Sequence, residues 1–174
     1  MKTSQSAINK LKATEQFRAT AYKDGYTGGV QNYSIGYGHQ IGLNEQNLKT
    51  ATITTSQAET LMRNDLAPLE GQLNKAKYPF NQNQFDALVS FGYNTGSGSL
   101  AKVIDTWNTT HSTSKVTAQM ALYTKTHDNK TGELVASSAL EKRRAAEVTL
   151  FNNPSVPVIA IAAIAFATSL YLFS

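Results

Sequence analysis

Glu15 and Asp24 are the residues from which chemistry can be argued. They stand nine positions apart, across Phe17, Arg18 and Tyr22, and lead into a stretch rich in Gly and Tyr. Glycoside hydrolysis uses such a pair, one carboxyl protonated to serve the leaving oxygen and one ionised to orient a water. On spacing alone, two such carboxylates are more often solvated surface charges. Competing chemistries fare worse. The chain has no cysteine, which excludes disulfide scaffolds, thiolate metal sites and cysteine nucleophiles. His111 and His127 lack partners at metal-ligand spacing, so no metal is expected. Gly36 and Gly38 are followed by no Lys-Ser/Thr, so no nucleotide cofactor is expected either.

The elements that must position the two carboxylates come from a chain of 174 residues with 41% hydrophobic and 16% charged residues, enough for a packed core. Sixteen basic against twelve acidic residues leave a net charge of +4. That mild excess suits anionic partners in general, and without a basic run it does not point to nucleic acid. Ser4 or Ser6 can cap a helix over residues 4–18 with Ile8 and Leu11 on one face. Asp24 to Gly42 turns to Gly, Tyr, Thr and Val, and Val30 to Tyr37 alternates as a strand, giving a small hairpin or three-stranded sheet. A helix opens at Thr55 and runs to about Leu73, with Ser56 and Glu59 in capping-box spacing. Another starts after Asn81 and breaks at Gly96-Ser97-Gly98. Further helices fit 99–109, 114–123 and 138–151, with Trp107 in the core and Asp86, Glu133 and Glu147 as helix-surface or capping charges. The fold class is α+β, mostly helical, with a small N-terminal β lobe and a larger helical lobe.

Three blocks in chain order carry a resemblance. Glu15-Gln16-Phe17-Arg18, Ala21-Tyr22-Lys23-Asp24 and Tyr33-Ser34-Ile35-Gly36-Tyr37-Gly38-His39 resemble the active-site signature of the phage-type lysozymes, glycoside hydrolase family 24. The run from Gln84 to Gly96 is similar to that family's central helix and cleft-lining turn, and Ala139 to Glu147 to its C-terminal helix with paired arginines. The resemblance implies a lysozyme-like fold and a muramidase acting on bacterial peptidoglycan, as a phage lysin for host lysis or entry. It implies Glu15 as general acid, with Asp24 and Ser34 holding the attacking water in an inverting mechanism. Arg143 would orient Glu15, Tyr93 and Asn94 would line the sugar cleft, and His39 would be a structural hydrogen-bonding residue. The departures are Gln16 where the family has Gly, Ser34 where it has Thr, and a longer gap between Asp24 and the hydroxyl. Thr27, closer to Asp24, is the rival hydroxyl.

Residues 152–174 carry no charge. From Val158 to Phe173 the segment is apolar apart from Thr168 and Ser169, so as a helix it has no face for water. About 17 residues reach roughly 25 Å, slightly short of a bilayer core of about 30 Å. The expected organisation is a lysozyme-like domain over 1–151, a Pro/Asn linker over 152–157 and a C-terminal hydrophobic helix over 158–174 that anchors the chain in a membrane. The other readings of that helix are a core element or a packing tail. No N-terminal signal peptide is visible. The anchor is expected in the membrane of a lipid-containing virion or of the host cell. The domain is expected to be monomeric. The alternative to an enzyme is a membrane-tethered wall-binding module without turnover.

Overall fold

The computed structural model describes residues 1–127 and 133–154. Helix α1, Gln5–Glu15, begins where the Ser4 side chain accepts from the Ala7 amide and buries Ala7, Ile8 and Leu11. It ends three residues earlier than its apolar pattern suggests. Gln16 takes φ 57° and ψ 147°, a backbone that no helix continues through, and the chain turns directly into a strand at Arg18.

That strand, β1 (Arg18–Thr27), pairs antiparallel with β2 (Val30–Gly36), and β2 pairs antiparallel with β3 (His39–Gln40). Gly28 and Gly29 close the first hairpin, both at positive φ (57° and 81°), as a tight two-residue turn requires. Tyr22 lies opposite Ser34 and Lys23 opposite Tyr33, with irregularities on either side of this pair. Gly36 sits where the sheet meets the helices: at φ 70°, a Cβ built on it would stand 2.9 Å from the Ala58 Cβ.

After a 3-10 segment at Leu43–Lys49, the long helix α2 (Thr55–Leu73) joins the two lobes. Ala58 lies under Gly36 at one end and Leu69 packs against Gly92 at the other. Its cap is Thr54 with Gln57, not Ser56 with Glu59. Glu59 instead accepts from Lys12 Nζ at 2.6 Å and from Arg63 Nη2 at 2.8 Å.

Helix α3 (Gln82–Thr95) runs through the middle of the helical lobe, buried from Gln84 to Val89. Gly96, at φ 87°, ends α3 and starts α4 (Ser97–Thr110), so the expected break is a single residue. Then come α5 (Thr113–Ala121), a short hairpin of β4 (Lys125–His127) and β5 (Leu134–Ala136), and α6 (Ser138–Asn152). Trp107 is in the core, its Nε1 donating to the Tyr78 carbonyl at 2.9 Å. Two charges expected as helix-surface or capping charges are buried. Asp86 and Glu147 are only 5% and 4% exposed. Asp86 accepts from the Ser4 amide and the Gln82 side chain, tying α1 to α3. The hydrophobic helix expected over 158–174 lies outside the described residues, and among the described residues no helix is long and apolar enough to cross a membrane.

Candidate active site

Glu15 is the last residue of α1, a partly buried carboxylate where the helix hands over to the sheet. Arg143, one turn into α6, donates from Nη1 to Glu15 Oε1 at 2.7 Å. The guanidinium does not swing freely. Its Nε donates to Glu147 Oε1 at 3.3 Å and its Nη2 to the Ser90 carbonyl at 3.4 Å. Glu147 is fixed in turn by the Ser90 hydroxyl at 2.7 Å and by Arg144 Nη2 at 3.1 Å. Arg144, 1% exposed, lies with its guanidinium 4.9 Å from the Phe91 ring centroid and donates to Asn94 Oδ1 at 2.8 Å. Charged groups buried this deeply persist only when paired, and here one carboxylate serves two guanidiniums. The network runs from Glu15 through Arg143, Glu147 and Arg144 to Asn94.

On the sheet side, Asp24 projects from the exposed part of β1 and accepts from the fully buried Ser34 hydroxyl, Oγ to Oδ2, at 2.7 Å. Thr27 faces elsewhere, its hydroxyl accepting from Asn32 Nδ2 at 2.9 Å. Tyr22, opposite Ser34 on the sheet, feels the charge of both carboxylates and is a residue to which sequence reasoning assigns no role. Burial raises its phenol pKa, and the charges of Asp24 and, more weakly, Glu15 add to the rise. The alternation Tyr22, Asp24 along one strand is the signal that places both on the same face.

Tyr93, at the end of α3, donates its hydroxyl to the Tyr37 carbonyl at 2.8 Å, and burial pushes its phenol well above the usual range. It therefore links the helical lobe to the β2–β3 turn. His39 is 8% exposed, with Nδ1 2.9 Å from Asp65 Oδ1 and Nε2 3.1 Å from Glu45 Oε2. The Asp65 hydrogen bond raises its pKa above the ordinary 6.5, against a smaller opposing effect of burial. With a carboxylate at each ring nitrogen, His39 braces the sheet against α2. His111 stacks on Tyr78, ring centroids 4.1 Å apart. Among the described residues no group of three His, Cys, Asp or Glu side chains is arranged to hold a metal ion.

The geometry thus gives two carboxylates in contrasting settings: Glu15 gripped by an anchored guanidinium, and Asp24 open to solvent but bonded to a buried hydroxyl.

A family model described as phage lysozyme matches residues 12–147. The chain is 36% identical over 156 residues to an endolysin of Bacillus phage PZA, covering 88% of this chain and 56% of the relative. It is 37% identical over 155 residues to an endolysin of Lactococcus phage c2, covering 88% of this chain and 62% of that one. The chain therefore spans about three fifths of the length of these curated relatives. Among solved structures, the muramidase domain of SpmX from Asticaccaulis excentricus is similar at TM-score 0.73 and 31% identity, over 88% of this chain and 99% of that one.

Proposed function

The chain belongs to the phage lysozyme family, and from that membership we propose that it is a peptidoglycan hydrolase, a muramidase that cleaves the β-1,4 bond between N-acetylmuramic acid and N-acetylglucosamine. The observation that carries the reading is the pair of contacts Arg143–Glu15 and Ser34–Asp24, one at each carboxylate.

Glu15 donates its proton to the glycosidic oxygen as the C1–O bond breaks. Arg143 holds the Glu15 carboxyl in the orientation that the transfer needs. Asp24, with the Ser34 hydroxyl beside it, positions a water and takes its proton as the water oxygen bonds to C1 from the opposite face, so the anomeric centre inverts. Tyr93 and Asn94 line the sugar cleft. With its oxygen engaged by Arg144, the Asn94 side chain presents its NH2 to the carbonyl of an N-acetyl group. His39 and Arg143 are positioning residues. In this reading residues 1–151 are the catalytic unit, 152–157 the linker and 158–174 the membrane anchor. The net charge of +4 suits an anionic wall.

The test is turbidity of purified peptidoglycan treated with the full chain in mild detergent, beside Glu15→Gln. The parent clears the suspension and Glu15→Gln is slower by about 10²–10⁴-fold, the usual contribution of a general acid. Reducing-end analysis of the fragments identifies the bond, and their initial anomeric form identifies inversion. Absence of clearing by a folded parent that still pellets with the wall would replace the enzyme with a binding module.

A further inference from the structure

The chain has four arginines, and three of them are committed to carboxylates: Arg63 to Glu59, Arg143 to Glu15 and Arg144 to Glu147. The fourth, Arg18, is exposed and makes no ion pair with a carboxylate among the described residues. It opens β1, just after Glu15, and its guanidinium lies over the ring of Tyr22, 5.6 Å from the centroid. An arginine stacked on an aromatic ring keeps the N–H groups of its planar fork free at the edge, and the stack fixes where that fork stands.

The ring that carries Arg18 belongs to the site. Tyr22 is opposite Ser34, the residue that binds Asp24. The charges of Asp24 and Glu15 both act on its phenol, and Tyr93 of the helical lobe feels that phenol in turn. Arg18 is thus a cation one aromatic ring away from the carboxylate pair. The two carboxylates by themselves repel an anionic substrate. Arg143 cannot receive an anionic group, because its three nitrogens are taken by Glu15, Glu147 and the Ser90 carbonyl. In the proposed substrate, the sugar whose C1–O bond breaks carries a lactyl ether on C3, close to the reacting carbon. The lactyl carboxyl is either free or amide-linked to a stem peptide that bears carboxylates of its own.

We infer that Arg18, on its Tyr22 platform, binds a carboxylate of the muramic-acid part of the substrate and so sets a preference for wall glycan over uncharged sugar polymers. The inference rests on the hydrolytic reading for the identity of the substrate. Arg18 takes no part in bond breaking, and its contribution is read in binding. A guanidinium–carboxylate pair in good geometry, at a site open to water, is worth several-fold in affinity rather than hundreds-fold.

The test uses the full chain with Glu15→Gln in mild detergent, so that binding is read without hydrolysis and separately from the turbidity experiment. The probes are soluble wall strands bearing their stem peptides, strands stripped of peptide to the free lactyl carboxyl, and both kinds after conversion of their carboxyls to amides. Carboxylate-bearing strands bind about three- to tenfold more tightly than amidated ones. Adding Arg18→Gln removes most of that difference, while binding to amidated strands and the circular dichroism spectrum stay unchanged. Arg18→Lys, which keeps the charge without the fork, retains part of it. Lys115→Gln, an equal loss of charge at an exposed position on α5, leaves it intact. A preference seen with stripped strands assigns the lactyl carboxylate, and one seen only with peptide-bearing strands assigns the peptide. Native strands binding no better than amidated ones overturn the inference. So does a preference that survives Arg18→Gln, or one that Lys115→Gln removes equally.

Discussion

The Ser34 hydroxyl donates to the Asp24 carboxylate at 2.7 Å, although the two residues lie on different strands and differ in exposure, Ser34 fully buried and Asp24 open. The register explains the contact. Ser34 is opposite Tyr22, and Asp24, two residues further along the same face, reaches it diagonally. A hydrogen bond to an ionised carboxylate is among the stronger ones a protein makes, about 1.5–3 kcal/mol.

Ser34→Ala is therefore expected to lower kcat by about 10–100-fold, the equivalent of that bond, with KM changing much less. Thr27→Ala is expected to leave both parameters near the parental values, since Thr27 is engaged with Asn32. Steady-state hydrolysis of soluble wall fragments by the two variants distinguishes the hydroxyls. A large loss in Thr27→Ala alone would reassign the role.

Arg143 makes three different contacts from three nitrogens, to Glu15, Glu147 and the Ser90 carbonyl. A lysine carries the charge but not the planar fork. Arg143→Lys should keep the fold and lose roughly tenfold in kcat. Arg143→Met, which also deprives the buried Glu147 of a partner, should lose more activity and about 3 kcal/mol of stability. Thermal unfolding run beside the kinetics separates the two effects, and equal activity in all three proteins would remove Arg143 from the mechanism.

Gln16 occupies a backbone region, φ 57° and ψ 147°, that is almost reserved for glycine and costs other residues about 1–3 kcal/mol. Glycine's extra freedom in the unfolded chain returns about 0.5–1 kcal/mol of that. Gln16→Gly should stabilise the protein by about 1–2 kcal/mol, or roughly 2–8 °C in Tm. A lower melting temperature would show that the Gln16 side chain makes a compensating contribution.

His39 gives a pH dependence of defined sign. Its pKa is raised above 6.5 by Asp65, so the folded state holds the proton more tightly than the unfolded state. The stabilisation is complete below pH 6.5 and disappears as pH rises through the folded value. The difference in unfolding free energy between the parent and His39→Gln should be greatest near pH 5–6 and shrink toward pH 9. A difference that grows with pH would mean that the ring is neutral in the folded protein.

How far the sequence carries differs from element to element. The helices with an apolar stripe and a clear cap, such as α3 after Asn81, are readable because local chemistry and burial agree there. The end of α1 is not, since nothing in Gln16 advertises a left-handed backbone. The α2 cap lies two residues before its expected place because neighbouring hydroxyls offer competing boxes. The β4–β5 hairpin is invisible to the pattern: its three-residue strands are exposed along Leu134–Ala136 and show no alternation. At the site, Glu15, Asp24 and Ser34 come from the resemblance of their motifs, and Tyr22 goes unremarked inside one of them. Glu147 is expected as a helix-surface or capping charge because a charge in a sequence says nothing of its burial. Its signal is present nonetheless, as two arginines three and four residues before it, the spacing at which helical side chains meet.

The β1–β2 hairpin closes through Gly28 and Gly29, whose Cα positions face open space, beyond the rung that pairs Tyr22 with Ser34. Distance along the chain and distance in space are thereby decoupled. The rung sets how far the hydroxyl stands from the carboxylate, while the tip sets only how many residues the chain spends in between. Residues can be inserted or removed at Gly28–Gly29 in pairs that preserve the rung, without moving Ser34 relative to Asp24. The long gap that separates this sequence from its family pattern is then a change of loop length, to which the Ser34–Asp24 contact is indifferent.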